Sequence, residues 1–455
     1  MKRASTAIMA LAIGLSGSAV AQTASPPLSS PPASPPKTTY ILAGHVLDKP
    51  GEPMRGATTI IVTDGAISAV KDGFQSPADG SPVIDLKDSY VLPGLIDMHV
   101  HLWGIGGDPL RARLLDETRD RFDDLIEAES NARADVEAGF TTVRDLGGDS
   151  RGIRALRDAV DAGAVEGPTI INAGQMISVT GGHGDAGNGL NEEFAEAVHA
   201  REINLCDGAD DCRRAVRAQI SLGAQVIKFA ATGGVLSNVA GGLGRQMTPE
   251  EMKAIVDTAH GFGRKVAAHS HAAAGTKAAL EAGVDSIEHG SFLDDETIAL
   301  FKAKGAYLVP TMLAPVAALA QARGGKLPPA TIPKAEAAAA AMLNSHKKAI
   351  AAGVKIAFGT DTAVSKHGDN AQEFALMVRA GMTPMATIKA ATVGAADLLG
   401  RGDQIGTIEP GKLADIIAVG ADPVANVTVL EHVDFVMRHG VTLKANGQRQ
   451  AFPPQ

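Results

Sequence analysis

The chain has 455 residues, 45% hydrophobic and 20% charged, enough for one large globular domain with a sizeable core and a smaller one beside it. A formal net charge of −9 and only 4% aromatic residues argue against nucleic acid and against an anionic membrane surface as partners.

In chain order, residues 1–21 read as a secretory signal. Lys2 and Arg3 are followed by the apolar run AIMALAIGL, too short to span a bilayer, and by the small-residue site Ala19-Val20-Ala21. An exported protein, periplasmic or secreted, is expected. Residues 22–37, QTASPPLSSPPASPPK, carry six prolines among serines and predict an extended linker. No later run reaches the roughly 18 apolar residues of a membrane span, so no membrane is expected for the mature form.

Residues 38–92 are β-rich: TTYILAGHVLD, ATTIIVTDGAISAV and PVIDLKDSYVL are short β-branched or alternating runs broken by Gly, Pro and Asp. Residues 402–452 have the same texture, which predicts one small β-sandwich domain built from both chain ends. Between them, residues 93–401 alternate short apolar runs with helical stretches of 10–20 residues. The expected strands are GLIDMHV, TTVRDL, PTIINAG, QVIKFAA, KVAAHS, DSIEHG, AYLVPT and KIAFGTD. Eight βα units predict a (β/α)8 TIM barrel. The rival, an open doubly wound sheet, would need a glycine-rich phosphate turn after its first strand, and the sequence has none there. Cys206 and Cys212, six residues apart in CDGADDC, suit a local disulfide in an exported chain and not a metal site.

A barrel gathers its chemistry at the C-terminal ends of its strands. There the sequence places His99 and His101 on the first strand, two apart and so on one face. Lys228 lies on the fourth strand, His269 ends the fifth, His289 the sixth and Asp361 the eighth. One histidine on an apolar strand is usually a satisfied core residue; four at strand C-termini in barrel order, with a carboxylate, point to metal. A buried lysine is costly unless neutral or paired. A low-pKa amine can also add CO2, giving a carbamate, an anionic oxygen ligand able to bridge two cations. Imidazole and oxygen ligands suit zinc, with manganese, cobalt and nickel also open.

Together GLIDMHVHLWG, AGFTTVRDLGG, SVTGGHGD, VIKFAATGGV, VAAHSHAAAG, SIEHG, IAFGTDTA and GTIEPGKLADIIAV resemble the amidohydrolase superfamily over about residues 40–450. More narrowly they resemble its binuclear-metal Xaa-Pro dipeptidase-like carboxypeptidases and the ochratoxin-hydrolysing amidohydrolases. The resemblance implies that His99, His101 and Asp361 hold one zinc, that His269 and His289 hold the other, and that carboxylated Lys228 bridges them. It implies hydrolysis of an N-acyl amino acid or dipeptide with a free C-terminal carboxylate by a metal-bridging hydroxide, with Asp361 as the proton carrier, and a homo-oligomer. Within His269-Ser270-His271 the resemblance puts the ligand first and leaves His271 for substrate. His183, between glycines in TGGHGD, and Trp103, directly after the first ligand pair, are the other expected substrate contacts. Arg144 is expected in an ion pair with neighbouring Asp145, and residues 235–247 as a substrate-shaping lid or a solvent loop. Two alternatives stay open: an imidazolonepropionase-like cyclic amidohydrolase, and an exported metal- or solute-binding protein.

Overall fold

The computed structural model describes residues 37–104, 111, 114–115, 118–237, 239, 241–327 and 332–452. The expected signal peptide and all of the linker but Lys37 lie outside these residues. Among the described residues no helix is long and apolar enough to cross a membrane.

The terminal segments form one eight-stranded sheet. From the N-terminal end come β1 (Thr38–Val46), β2 (Thr58–Thr63), β3 (Ala66–Asp72) and β4 (Val83–Pro93). The next eight strands build the central region. They are β5 (Leu95–Val100), β6 (Phe140–Asp145), β7 (Thr169–Asn172), β8 (Val226–Ala230), β9 (Lys265–Ala272), β10 (Ser286–Phe292), β11 (Tyr307–Val309) and β12 (Lys355–Ile356). The C-terminal end returns β13 (Ile416–Val419), β14 (Phe435–Arg438), β15 (Val441–Ala445) and β16 (Gln448–Arg449) to the first sheet. Its order is β16-β15-β14-β13-β4-β1-β2-β3, a single hydrogen-bonded ladder that joins both chain ends. The reason is β4, whose 11 residues reach both partners. Val83–Val91 run parallel to β1, while Tyr90–Pro93 pair antiparallel with β13. The ladder buries Ile41, Ile60, Val91, Ile416, Phe435 and Met437 together. Gly44 marks the irregularity in β1: a Cβ there would sit 1.8 Å from the Lys87 carbonyl oxygen.

All eight expected central strands are present, in two parallel sheets ordered β5-β6-β7 and β8-β9-β10-β11-β12. Backbone hydrogen bonds link the two sheets at both edges. Ile177 N donates to Lys228 O (2.8 Å) and Ala230 N to Ile177 O (2.9 Å). At the other edge, Met98 N donates to Phe358 O (2.9 Å), Asp361 N to His99 O (2.7 Å) and His101 N to Thr362 O (2.8 Å). Several helices between the strands start on side-chain caps, among them Asp149, Thr248 and Asp294, which fix the start of those helices locally. The interior-facing sides of β5, β8, β9 and β10 carry the polar residues, and the opposite sides pack into apolar clusters under the helices.

Candidate metal centre

His99, His101 and Asp361 meet at the seam between β5 and the segment after β12. His99 Nε2 lies 3.3 Å and His101 Nε2 3.2 Å from Asp361 Oδ1, and the two nitrogens are 3.3 Å apart. The second ring nitrogen of each histidine is already committed. His99 Nδ1 donates to Glu288 Oε2 (2.9 Å), and His101 Nδ1 donates to the Gly147 carbonyl (3.0 Å). Both Nε2 atoms are thereby left to converge, the usual way a protein orients a metal-binding imidazole. Asp97, fully buried, ties the same seam: its carboxylate accepts from His99 N, Thr360 N, Thr360 Oγ1 and Asn370 Nδ2.

His269, His271 and His289 form a second group, their nearest nitrogens within 4.8 Å of one another. His289 Nδ1 is 2.7 Å from Thr311 Oγ1 and His271 Nδ1 is 2.8 Å from Ser291 Oγ, which leaves both Nε2 atoms open. His269 is turned the other way: its Nε2 is 3.3 Å from the Gly233 carbonyl, leaving Nδ1. The two groups adjoin, the His99 and His289 rings being 5.1 Å apart between centroids. Lys228, 2% exposed, points into the same cavity and makes no ion pair among the described residues.

The electrostatics suit cation binding. Burial, reinforced by Lys228, lowers His99 to about 4, and burial lowers His271 to about 4. Burial together with neighbouring imidazoles holds His269 and His289 well below the ordinary value, so these rings are neutral at neutral pH. Lys228 is brought down to about 8 by burial, against the opposing pull of Glu288 and Asp361. Burial would raise Asp361, but His99 and His101 outweigh it and bring the carboxyl to about 2. His101 differs: burial would lower it, but Asp361 and Asp145 outweigh burial and raise it. The donor set fits two divalent cations: imidazoles, one carboxylate and an amine of depressed pKa, most of them withdrawn from bulk water.

The cavity is about 280 Å³. Met176, Val235, Leu236, Pro315, Ala318 and Met342 form its apolar wall. His183 belongs to it, its ring 4.2 Å from that of His269 and set flat on Gly234, where a Cβ would lie 2.2 Å from the imidazole. Burial, with His271 and Lys228 adding to it, lowers His183 to about 3. Its Nδ1 is buried with no hydrogen-bond partner. Of residues 235–247, Val235 and Leu236 line the cavity, while Lys334 holds the loop through the carbonyls of Gly234 and Ser237.

Trp103 is a correction. It is not brought to the cavity; it stands over the helix Ser150–Asp161, beside Arg121, Phe122 and Leu125. A Cβ on Gly152 would be 2.1 Å from its ring and one on Gly148 2.7 Å from its Cβ, so two glycines make its seat. Following the ligand pair in sequence did not place it near the ligands, because the chain has already left the strand at His101. Arg144 is also paired differently: Nη2 contacts Glu288 at 2.8 Å, Nη1 reaches Ser286, and Nε reaches the Met98 carbonyl. Glu288, which the sequence did not single out, thus joins Arg144 to His99.

Residues 90–443 match the Amidohydrolase family. The chain belongs to the amidohydrolase family. Relatives support this along nearly the whole length. The ochratoxinase of Aspergillus niger is 35% identical over 436 residues, covering 90% of this chain and 88% of that protein. A solved Xaa-Pro dipeptidase with methionine bound in its active site superposes with a TM-score of 0.84 at 38% identity, covering 90% of this chain and 100% of the other. A prolidase complexed with N-methylphosphonate-L-proline gives a TM-score of 0.81 at 29% identity, over 91% and 100% of the two chains. This amidohydrolase is therefore a hydrolase of amide or peptide bonds. The non-catalytic binding-protein alternative is set aside.

Proposed function

We propose that this amidohydrolase removes a C-terminal amino acid from dipeptides and N-acyl amino acids, with two zinc ions held at the two histidine groups and bridged by carboxylated Lys228. The observation that carries the reading is the convergence, on one cavity, of both groups and a buried lysine with no ion pair among the described residues. In this reading His99, His101 and Asp361 bind one ion and His269 and His289 the other. His271, on the same strand face as His269 and two residues further out, meets substrate. When bound, such ions lower the pKa of water towards neutrality and polarise a carbonyl oxygen.

The chain's own residues supply the rest. Asp361, ionised at neutral pH, takes the proton of the attacking water at Oδ and delivers it to the leaving nitrogen. His183, neutral and with Nδ1 unpaired, and His271, which lines the same cavity, offer N–H groups to the substrate's carboxylate. The apolar wall of Met176, Leu236, Pro315 and Met342 takes an uncharged side chain and excludes water from the reacting bond. The ligands of two relatives, methionine in the Xaa-Pro dipeptidase and a proline phosphonate in the prolidase, are both amino-acid-sized. We also propose that the central strands close as a (β/α)8 barrel spanning 93–401, that the terminal sheet folds over as a sandwich of 38–92 and 402–452, and that the mature enzyme is exported and homo-oligomeric. The bonded seams support the first, the Cys206–Cys212 disulfide the export.

The test is a library of dipeptides, N-acyl amino acids and ochratoxin A, each beside its C-terminal carboxamide, assayed for amine release by zinc-loaded and chelated enzyme. Free acids should be cleaved and carboxamides should not, with activity lost to chelator and restored by zinc. Equal cleavage of both forms would refute the carboxylate reading. Ring opening of a cyclic amide without cleavage of any library member would favour the imidazolonepropionase-like alternative.

A further inference from the structure

Outside this cavity, a third set of metal-type ligands lies in the segment between β7 and the Cys206–Cys212 disulfide. Asp185, His199 and Glu202 bring their ligand atoms within 4.8 Å of one another. His199 ends the helix Glu192–His199, Glu202 follows three residues later, and Asp185 stands two residues beyond His183.

The two carboxylates already organise this loop. Asp185 Oδ2 accepts from Gly181 N (2.7 Å) and Oδ1 from Gly187 N (2.7 Å). Glu202 Oε1 accepts from Ala186 N (2.9 Å). What remains points inward. Asp185 Oδ1 is 2.8 Å from His199 Nε2. Glu202 Oε2 is buried without a hydrogen-bond partner, on a side chain only 6% exposed, and lies 3.9 Å from the same nitrogen. Gly187 keeps the space clear, since a Cβ there would come within 2.4 Å of His199 Nε2. A protonated His199 paired with Asp185 would account for the short contact but leaves the buried Glu202 oxygen unanswered.

We propose that Asp185, His199 and Glu202 form a further divalent-metal site, independent of the cavity, that staples the loop carrying His183. One imidazole and two carboxylates suit zinc; calcium and magnesium would take oxygen alone. A divalent ion there balances the two carboxylates and replaces the proton on Nε2. His199, 37% exposed, leaves one side open for a water to complete the coordination.

The experiment counts zinc. Full-length protein is dialysed against zinc, desalted and measured by elemental analysis, alongside His199→Ala, Glu202→Gln and Lys228→Ala. Each variant should hold one zinc fewer per chain than its parent when the third site is lost, and Lys228→Ala should still lose a zinc when His199→Ala is added. This difference of one stands whether or not the cavity binds two ions, so the two readings fail separately. Zinc should also raise the melting temperature of Lys228→Ala and not of Lys228→Ala/His199→Ala, with both melting alike in its absence. Equal zinc content in parent, His199→Ala and Glu202→Gln would overturn the proposal and leave an ion pair only.

Discussion

Replacing Glu288 by glutamine separates two jobs that one buried carboxylate performs. Glu288 is fully buried; Oε1 accepts from Arg144 Nη2 (2.8 Å) and Ser286 Oγ (2.6 Å), and Oε2 accepts from His99 Nδ1 (2.9 Å). Burial alone would raise its pKa, yet Arg144 and then His99 bring it to about 2. Relative to an ordinary glutamate this is worth ~3 kcal/mol in favour of the ionised folded form. Because the folded pKa is depressed, that stability is fully present above about pH 4.5 and is lost as pH falls towards 2. Breaking a buried pair by removing one partner costs about 3–5 kcal/mol, because the other charge is stranded. Glutamine keeps one acceptor but turns an NH2 on either Arg144 or His99. If it faces His99, the ring must carry its proton on Nε2, the atom that should bind metal. The expected result for Glu288→Gln is a loss of about 3 kcal/mol in urea denaturation and a 10–100-fold loss of zinc affinity. Adding Arg144→Met removes the stranded charge and should recover most of the stability without recovering the affinity. Retention of wild-type zinc affinity in Glu288→Gln, or recovery of affinity and stability together in the double variant, would refute the reasoning.

Four further outcomes are expected. Lys228→Ala should lose bound zinc and most turnover; in the wild type, apoenzyme reconstitution should be faster with added bicarbonate and as pH rises through about 8, since only the neutral amine adds CO2. Unchanged reconstitution with bicarbonate would argue against the carbamate. His269→Ala should lose one zinc, whereas His271→Ala should keep both and raise KM; the reverse pattern in elemental analysis and kinetics would exchange their roles. Trp103→Ala should lower the melting temperature with KM unchanged, as befits a side chain seated on Gly148 and Gly152, and a selective rise in KM would return it to the site. Cys206→Ser/Cys212→Ser opens a loop of six-residue separation and should cost about 2 kcal/mol in chemical denaturation, with no cost at all counting against a bond present in the folded protein.

The strands were legible because each is a short β-branched run cut off by polar or glycine residues, and strand ends give chemistry a fixed address. His99, His101, Lys228, His269, His289 and Asp361 all followed from that address, and so did the neighbourly disulfide. The single terminal ladder was not legible, since nothing in composition reveals that one long strand pairs on both sides. Trp103 shows the complementary limit: proximity in sequence to a ligand says little once the strand has ended. Arg144 next to Asp145 misled for a similar reason, as adjacent residues on a strand face opposite ways and the partner of Arg144 had to come from the other central sheet, on β10.

Glu288 was missed for a more instructive reason. Strict alternation allows only one of Glu288 and His289 to face inward, and the histidine is the obvious choice. Both do: Glu288 bonds His99 Nδ1, and the His289 ring stands 5.1 Å from the His99 ring. The backbone makes this possible by breaking the alternation, with His289 at φ 71° in the left-handed region. Thr311 at φ 47° and Asp361 at φ 61° do the same at the ends of the next two strands. Each such non-glycine residue costs on the order of 1–3 kcal/mol and persists only where its surroundings hold it. Here the restraints are visible. Thr311 N donates to Gly359 O (3.1 Å), Asp361 N to His99 O (2.7 Å), and Asp97 accepts from Thr360 on one side and His99 N on the other. One seam bond that joins the two sheets therefore also holds Asp361 in place, while Thr311 is held within its own sheet and His289 by Thr311 and His346. Disturbing the seam at Asp97 should unseat ligand atoms it never touches.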